Sequence, residues 1–286
     1  MLNLITPESR NRILVETDSA KCFDLSVDLF IGMPSWTYLG DPAYDIWMTH
    51  TPRGQIIDDG KSSQGANPLL AYSGDCVSMY THTGTHIDAL NHFGYRGEIW
   101  NCFTADEHLG SRHWHKCGVE QYPPIVARGI LLDVAAMHGV DVLPDSYGIG
   151  ESDLRDTLKR QGTSIEVGDV VLIRTGRMQR WPDRDAYMLN EPGLNREGAE
   201  FLAQAGAMVI GADNIALDQL PSVDEEDWVP VHTYLLAEAG VPILEVAQLE
   251  DISGDELYEF AFVAAPLRLK GATAAPLRPI AMPLRK

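Results

Sequence analysis

Three histidines and an aspartate crowd into the eleven residues from 82 to 92, as His82, His86, Asp88 and His92, with Gly84 and Thr85 between the first two. Imidazole and carboxylate are ligands that a borderline divalent cation such as zinc or manganese accepts. Such an ion can acidify a water molecule and polarise a carbonyl. All four residues carry even numbers, so a straight strand would set them on one face. At the rise of a strand, however, His82 and Asp88 would stand about 20 Å apart, whereas metal–ligand bonds are about 2 Å long. A regular helix aligns His82 with His86 and swings Asp88 towards the opposite side. The segment must therefore bend, and Gly84 is free to take the backbone angles a bend needs. The expectation is a strand ending near Met79 or Tyr80, followed by a tight turn that gathers the ligands. The competing reading, surface or hydrogen-bonded core histidines that happen to be close, explains neither the density of ligand types nor the aspartate.

The elements that must position this segment are legible as patterns. Residues 1–22 read as an N-terminal arm or short leading helix, and 23–286 as one domain. Residues 23–30 alternate apolar and polar over their first half, which suits a half-buried strand. Residues 71–80 read as the strand that delivers His82. Continuous apolar runs at 125–134 and 169–175 predict buried strands, and 207–212 predicts another. A helix over 150–162 carries Leu154 and Leu158 on one face and stops at Gly162. Asn195 caps a second helix that ends at Gly206. An apolar helix opens at His232 and closes at Gly240, and residues 241–246 return as a strand. Glu245 lies inside that strand, where a carboxylate is costly to bury unless a cation or hydrogen-bond donors meet it. Residues 258–267 form the next strand. Alternation of strands and helices from 125 onward predicts an α/β fold with one large core.

Composition narrows the function classes. The 286 residues are 45% hydrophobic and 22% charged, values of a globular chain. A net charge of −19 argues against nucleic acid or an anionic membrane as partner. No run reaches the roughly 20 apolar residues of a membrane span, and the N-terminus lacks a signal peptide's pattern. Four cysteines without CxxC pairing suggest reduced thiols and a cytoplasmic protein. Cys102 and Cys117 with His113 and His115 offer an alternative zinc set, though without compact spacing. The polar loop at 51–70 could act as a lid. The run Asp224 to Asp227 reads as a solvated acidic loop. The C-terminal tail carries Arg268, Lys270, Arg278, Arg285 and Lys286 and no acidic residue after Glu259, a charge asymmetry that hints at a second subunit.

The order HTGTHIDALNHF at 82–93 resembles the HxGTHxDxPxHF signature of the metal-dependent cyclase family, which includes bacterial kynurenine formamidases and isatin hydrolases. Leu90 stands where that family usually has proline. Further blocks resemble the family in order: GDVVLIRTGR at 168–177, EPGLNREGAEFLAQAGAMVIGADNIALD at 191–218, PVHTYLLAEAGVPILE at 230–245 and APLRLKGATAAPLRPIAM at 265–282. The resemblance implies a mixed β-sheet rolled into a barrel-like core with outer helices, assembled as a homodimer or homotetramer. It implies His82, His86 and Asp88 as metal ligands, with His232 and Glu245 completing a second site in members that hold two ions. His92 matches a catalytic acid/base position. One or two zinc or manganese ions per chain are thus expected.

The function expected is hydrolysis of an amide, cyclic amide or lactone in a small substrate. Trp36, Tyr38, Phe93 and Trp100 are candidate walls for a planar one. No Gly-x-Ser-x-Gly elbow supports a serine hydrolase. A lyase or cyclising enzyme on the same scaffold, or a non-catalytic metal-binding protein, are the alternatives.

Overall fold

A computed structural model describes residues 1–51 and 73–285. The expected lid at 51–70 thus lies, apart from Thr51, outside the described residues, as do the first two residues of the expected strand at 71–80.

Nine strands form one mixed sheet. In chain order they are β1 (Phe23–Asp24), β2 (His86–Asp88), β3 (Ile125–Asp133), β4 (Val170–Arg174), β5 (Val209–Ala212), β6 (Ile243–Glu245), β7 (Glu259–Ala264), β8 (Ala274–Pro276) and β9 (Ile280–Pro283). Their spatial order is β1-β9-β7-β3-β4-β5-β6-β2-β8. The four central strands β3 to β6 run parallel. Antiparallel pairs extend the sheet to either side, β7, β9 and β1 on one flank and β2 and β8 on the other.

The sheet curls as the family resemblance implies. Phe23 and Leu25, at and just beyond one edge, share a single buried cluster with Ile87, Ala275 and Leu277 at the other. Past β1 the chain bridges the gap directly, because the Val27 N–H donates to Thr85 Oγ1 at 3.0 Å. Strand alternation explains the two layers. Val170 and Leu172 of β4 join the enclosed cluster, while Val171 and Ile173 face the outer layer with Leu154, Leu202, Leu235 and Leu236.

The outer helices follow the sequence closely. Glu151–Gln161 ends at Gly162, whose φ of 67° is the left-handed turn that glycine accepts without strain. Arg196–Gln204 starts where Asn195 Oδ1 accepts the Gly198 N–H. The third helix differs from expectation in its winding. One α turn, Pro230–His232, passes into a seven-residue π-helix, Thr233–Ala239, that ends at Gly240.

Two expected strands are shorter than their patterns. Only Phe23–Asp24 of residues 23–30 pairs in the sheet. Beyond it Leu25 leaves to cover the core, its N–H bonded to the Pro279 carbonyl. The strand before His82 covers Gly74–Ser78 and belongs to a separate hairpin with Asp45–His50, a segment with no strand signal of its own. Among the described residues no helix is long and apolar enough to cross a membrane.

The N-terminal arm is folded against the body. Thr6 and Ser9 form a capping box for the helix Pro7–Glu16, and Ile13 within it is 1% exposed. Ile13→Ala should therefore cost about 2–4 kcal/mol, whereas Val15→Ala, on the exposed side of the same helix, should cost less than about 0.5 kcal/mol. Denaturant midpoints of the two variants check this. Equal midpoints would show that the arm does not contribute to the stability of the fold.

Candidate metal centre

The bend at Gly84 is built as its residue type requires. Gly84 has φ 65°, and a Cβ there would collide with the Leu29 side chain. Thr85 then fixes the exit, its hydroxyl donating to the Val246 carbonyl at 2.6 Å. From there the chain does not stay in a turn, as the spacing suggested, but enters the short strand β2. Alternation on this strand sends His86 and Asp88 to one face and Ile87 into the enclosed core. The antiparallel register of β6 sets Glu245 opposite His86, and β8 sets Ala274 opposite Asp88. His232 enters at the start of its helix.

These side chains converge. His82 Nδ1 lies 2.7 Å from Asp88 Oδ1. His86 Nε2 lies 3.3 Å from Asp88 Oδ1 and 3.1 Å from Glu245 Oε2. His232 Nε2 lies 3.4 Å from Asp88 Oδ2 and 3.2 Å from Glu245 Oε1. The His92 ring packs on His82 with centroids 3.9 Å apart and stands 6.0 Å from the ring of His232. His82, His86, Asp88, His232 and Glu245 are all buried, and His92 is half-buried.

Outer contacts aim the rings. His86 Nδ1 lies 2.8 Å from the Gly84 carbonyl, which can only accept, so Nδ1 carries a proton and Nε2 is the atom turned to the cluster, free to ligate once its own proton is displaced. His232 Nδ1 bonds to Asp218 Oδ2 at 2.7 Å with the same consequence. Asp218 is itself held by the N–H groups of Val231 and His232. Thr273 Oγ1 meets His82 Nε2 at 3.0 Å.

The donor set fits a divalent cation. His86 Nε2, both oxygens of Asp88 and Glu245 Oε1 are buried without a hydrogen-bond partner, although they face one another across a few ångströms. Polar atoms left this way are costly, and all four are metal-ligand types. Charge tells the same story. Burial opposes protonation of His86, yet Asp88 and Glu245 push its pKa up to about 10. His232 is likewise held high against burial by Asp218, Asp88 and Glu245. Asp88 stays well below the usual carboxylate range despite burial, because His82, His92 and His232 surround it. The carboxylates thus draw positive charge to this point, and a cation would take the place of the ring protons. His92 behaves oppositely: burial and the neighbouring His82 push its pKa well down and keep the ring neutral.

The cluster forms the floor of a cavity of about 460 Å³, the size of a small-molecule site. Trp36, Tyr38 and Phe93 line it as the sequence suggested. Trp100 does not. Its ring packs against Gly240, and it lines a different cavity. Tyr80 and Trp228 line the cleft instead, and neither carried a sequence signal beyond being aromatic. The Cys102, Cys117, His113, His115 alternative brings no ligand cluster together. Among the described residues, the only groups of three or more close enough to share an ion are His82–Asp88–His92 and His86–Asp88–Glu245.

A curled α/β sheet that buries three histidines and two carboxylates beneath an aromatic cleft has the make-up of a metal-dependent enzyme site. The chain belongs to the Cyclase family, whose profile matches residues 23–219. A kynurenine formamidase of Bacillus cytotoxicus is 29% identical over 241 residues, covering 83% of this chain and 91% of that protein. A crystal structure of a protein described as a novel cyclase superposes with a TM-score of 0.84 at 28% identity, covering 98% of this chain and 94% of the other. Isatin hydrolase A from Ralstonia solanacearum shares the fold, with a TM-score of 0.69, 21% identity and 92% of each chain covered.

Asp218 went unnoticed in the sequence as a site residue, yet it orients His232. Asp218→Ala should weaken zinc binding about 10–100-fold without unfolding the protein, measured by calorimetric titration of the metal-stripped chain. Unchanged affinity would remove Asp218 from the site.

Proposed function

We propose that the protein hydrolyses an amide, cyclic amide or lactone of a small aromatic substrate, with His82, His86, Asp88, His232 and Glu245 as the ligands of one or two zinc or manganese ions. The observation that carries this reading is the set of partnerless buried ligand atoms at the floor of an aromatic cleft. A divalent ion held there lowers the pKa of water from near 16 towards about 7 and acts as a Lewis acid towards a carbonyl. Where two ions bind, Asp88 could serve both, because Oδ1 faces His82 and His86 while Oδ2 faces His232. The walls formed by Trp36, Phe93 and Trp228 exclude water and pack a flat substrate with its carbonyl towards the floor.

His92 is assigned proton transfer. It lies half-buried at the cleft, against the ligands. It takes the proton of the attacking water and delivers it to the departing nitrogen or oxygen. Isatin hydrolase and kynurenine formamidase names among the relatives support an aromatic amide. Unpaired cysteines suit a cytoplasmic setting. The basic tail supports assembly as a homodimer or homotetramer, although Arg278 already bonds Asp24 of its own chain.

The test is turnover of aryl formamides, isatin-like cyclic amides and lactones by protein stripped of metal and then reloaded. Activity should vanish on chelation, return with zinc or manganese, and give products heavier by one water. Products lighter by one water would make the enzyme a lyase. Tight metal with no turnover on any of these substrates would make it a binding protein. His92→Ala should keep its metal and lose about 10²–10⁴-fold in kcat; loss of metal in that variant would reassign His92 as a ligand beside His82 and Asp88.

A further inference from the structure

Behind the metal centre lies a second cavity, of about 770 Å³, which the hydrolytic reading does not use. It adjoins the end of β2, where Leu90 lines it. The Asp88 side chain faces the ligand cluster, while the Asp88 carbonyl accepts a hydrogen bond from the Tyr122 hydroxyl at 3.2 Å, and Tyr122 lines the second cavity. Trp100, another wall, packs on Gly240, the residue that ends the helix carrying His232. Leu90, two residues past Asp88, is a third. The walls thus touch the backbone of the metal segment and the far end of the His232 helix.

The lining specifies a chemical class. Trp100, Phe103 and Tyr122 supply aromatic surface. Lys116 supplies a cation, its ammonium 5.2 Å from the centre of the Phe103 ring. Among the described residues no acidic one lines the cavity, in a chain with 41 acidic and 22 basic residues. Glu120, next to the lining residue Gln121, is already engaged with the Gly271 N–H at 2.7 Å. The backbone at the rim is held in an uncommon form, with Asn101, Cys102 and Cys117 at φ 70°, 58° and 59°. Non-glycine residues keep that conformation only where the surroundings impose it.

We propose that this cavity binds a small aromatic carboxylate, its ring among Trp100, Phe103 and Tyr122 and its charge on Lys116, and that occupancy is felt at the metal centre through the Tyr122–Asp88 bond. Lys116 gives the charge-assisted contact, and the aromatic walls give area. The binding part stands whether or not the hydrolytic reading holds. The coupling part needs only that Asp88 ligates metal.

Benzoate is the probe and benzamide its neutral control, titrated by calorimetry into metal-stripped full-length protein so that the metal centre offers no Lewis acid. Saturable benzoate binding should be weakened about tenfold by Lys116→Met, the scale of one charge-assisted hydrogen bond, and benzamide should bind correspondingly less well. Lys116 is exposed, so the variant should fold normally. Equal binding of benzoate by wild type and Lys116→Met, or equal binding of benzoate and benzamide, overturns the assignment. So does the absence of any binding tighter than about 1 mM. If Lys116→Glu instead dissociates an oligomer and benzoate does not bind, the face is an interface between copies and the proposal falls. For the coupling, benzoate should change zinc affinity in the wild type and not in Tyr122→Phe. No change in the wild type, or an equal change in both, overturns the route through Tyr122.

Discussion

Two carboxylates buried among three imidazoles set the terms for the rest of the molecule. Asp88 is 0% exposed and Glu245 3%, and bringing each such charge out of water costs several kcal/mol unless something positive meets it. Protons on His86 and His232 meet part of that need, and a divalent cation held by Asp88 and Glu245 would meet more of it. A site of this kind is stable only if its members cannot drift apart. Glu245 is therefore the last residue of β6, at the carboxyl end of a parallel strand where open α/β sheets place their ligands. Its partner His86 stands directly across the ladder. The 158 residues between them in sequence are reduced to one register.

The His232 arm is secured by different means. Its helix begins with Pro230, whose missing N–H costs nothing at that position. The next two N–H groups, of Val231 and His232, donate to Asp218. The same carboxylate receives His232 Nδ1, so one residue caps the start of the helix and orients the ligand. The winding then relaxes into a π-helix, a rare form that concentrates at functional sites. Asn214 ties this arm to the other. Its amide reaches the Pro192 carbonyl, its Oδ1 takes the Leu217 N–H, and its own carbonyl takes the N–H of Val246, next to Glu245.

How much of this could be read in the sequence depended on range. His82, His86, Asp88 and His92 are close in the chain, and simple geometry shows that neither a straight strand nor a helix could gather them. The need for a bend at Gly84 follows, and the structure has one. What spacing could not show is that the bend comes early and that β2 itself then carries two of the residues. Glu245 was visible as a carboxylate inside an apolar strand, a local contradiction that tertiary structure had to resolve. His232 came to attention through family resemblance, because a lone histidine at a helix start carries no signal alone. Asp218, Thr273 and Tyr80 were invisible for a plainer reason. Each is an ordinary residue whose role arises only when a distant strand or helix is laid beside it. The buried strands at 125–134, 169–175 and 207–212 were legible because parallel central strands are apolar on both faces. Residues 23–30 misled because alternation reports burial on one side, which the chain after β1 achieves without pairing. Trp100 misled because nearness in sequence to His92 is not nearness to the cleft.

The three residues of β2 show why the margin for error is small. Ile87 is locked in the enclosed core, His86 and Asp88 project into the ligand cluster, and the Asp88 carbonyl is held by the Tyr122 hydroxyl. Metal–ligand distances tolerate deviations of about 0.2 Å, while a packed core adjusts as a unit instead of bending residue by residue. A strand pinned on both faces and paired on both edges with β6 and β8 can move only if those partners move too. The rigidity that keeps Asp88 in place for an ion also ties the position of its carboxylate to every surface that touches β2, including one that faces away from the cleft.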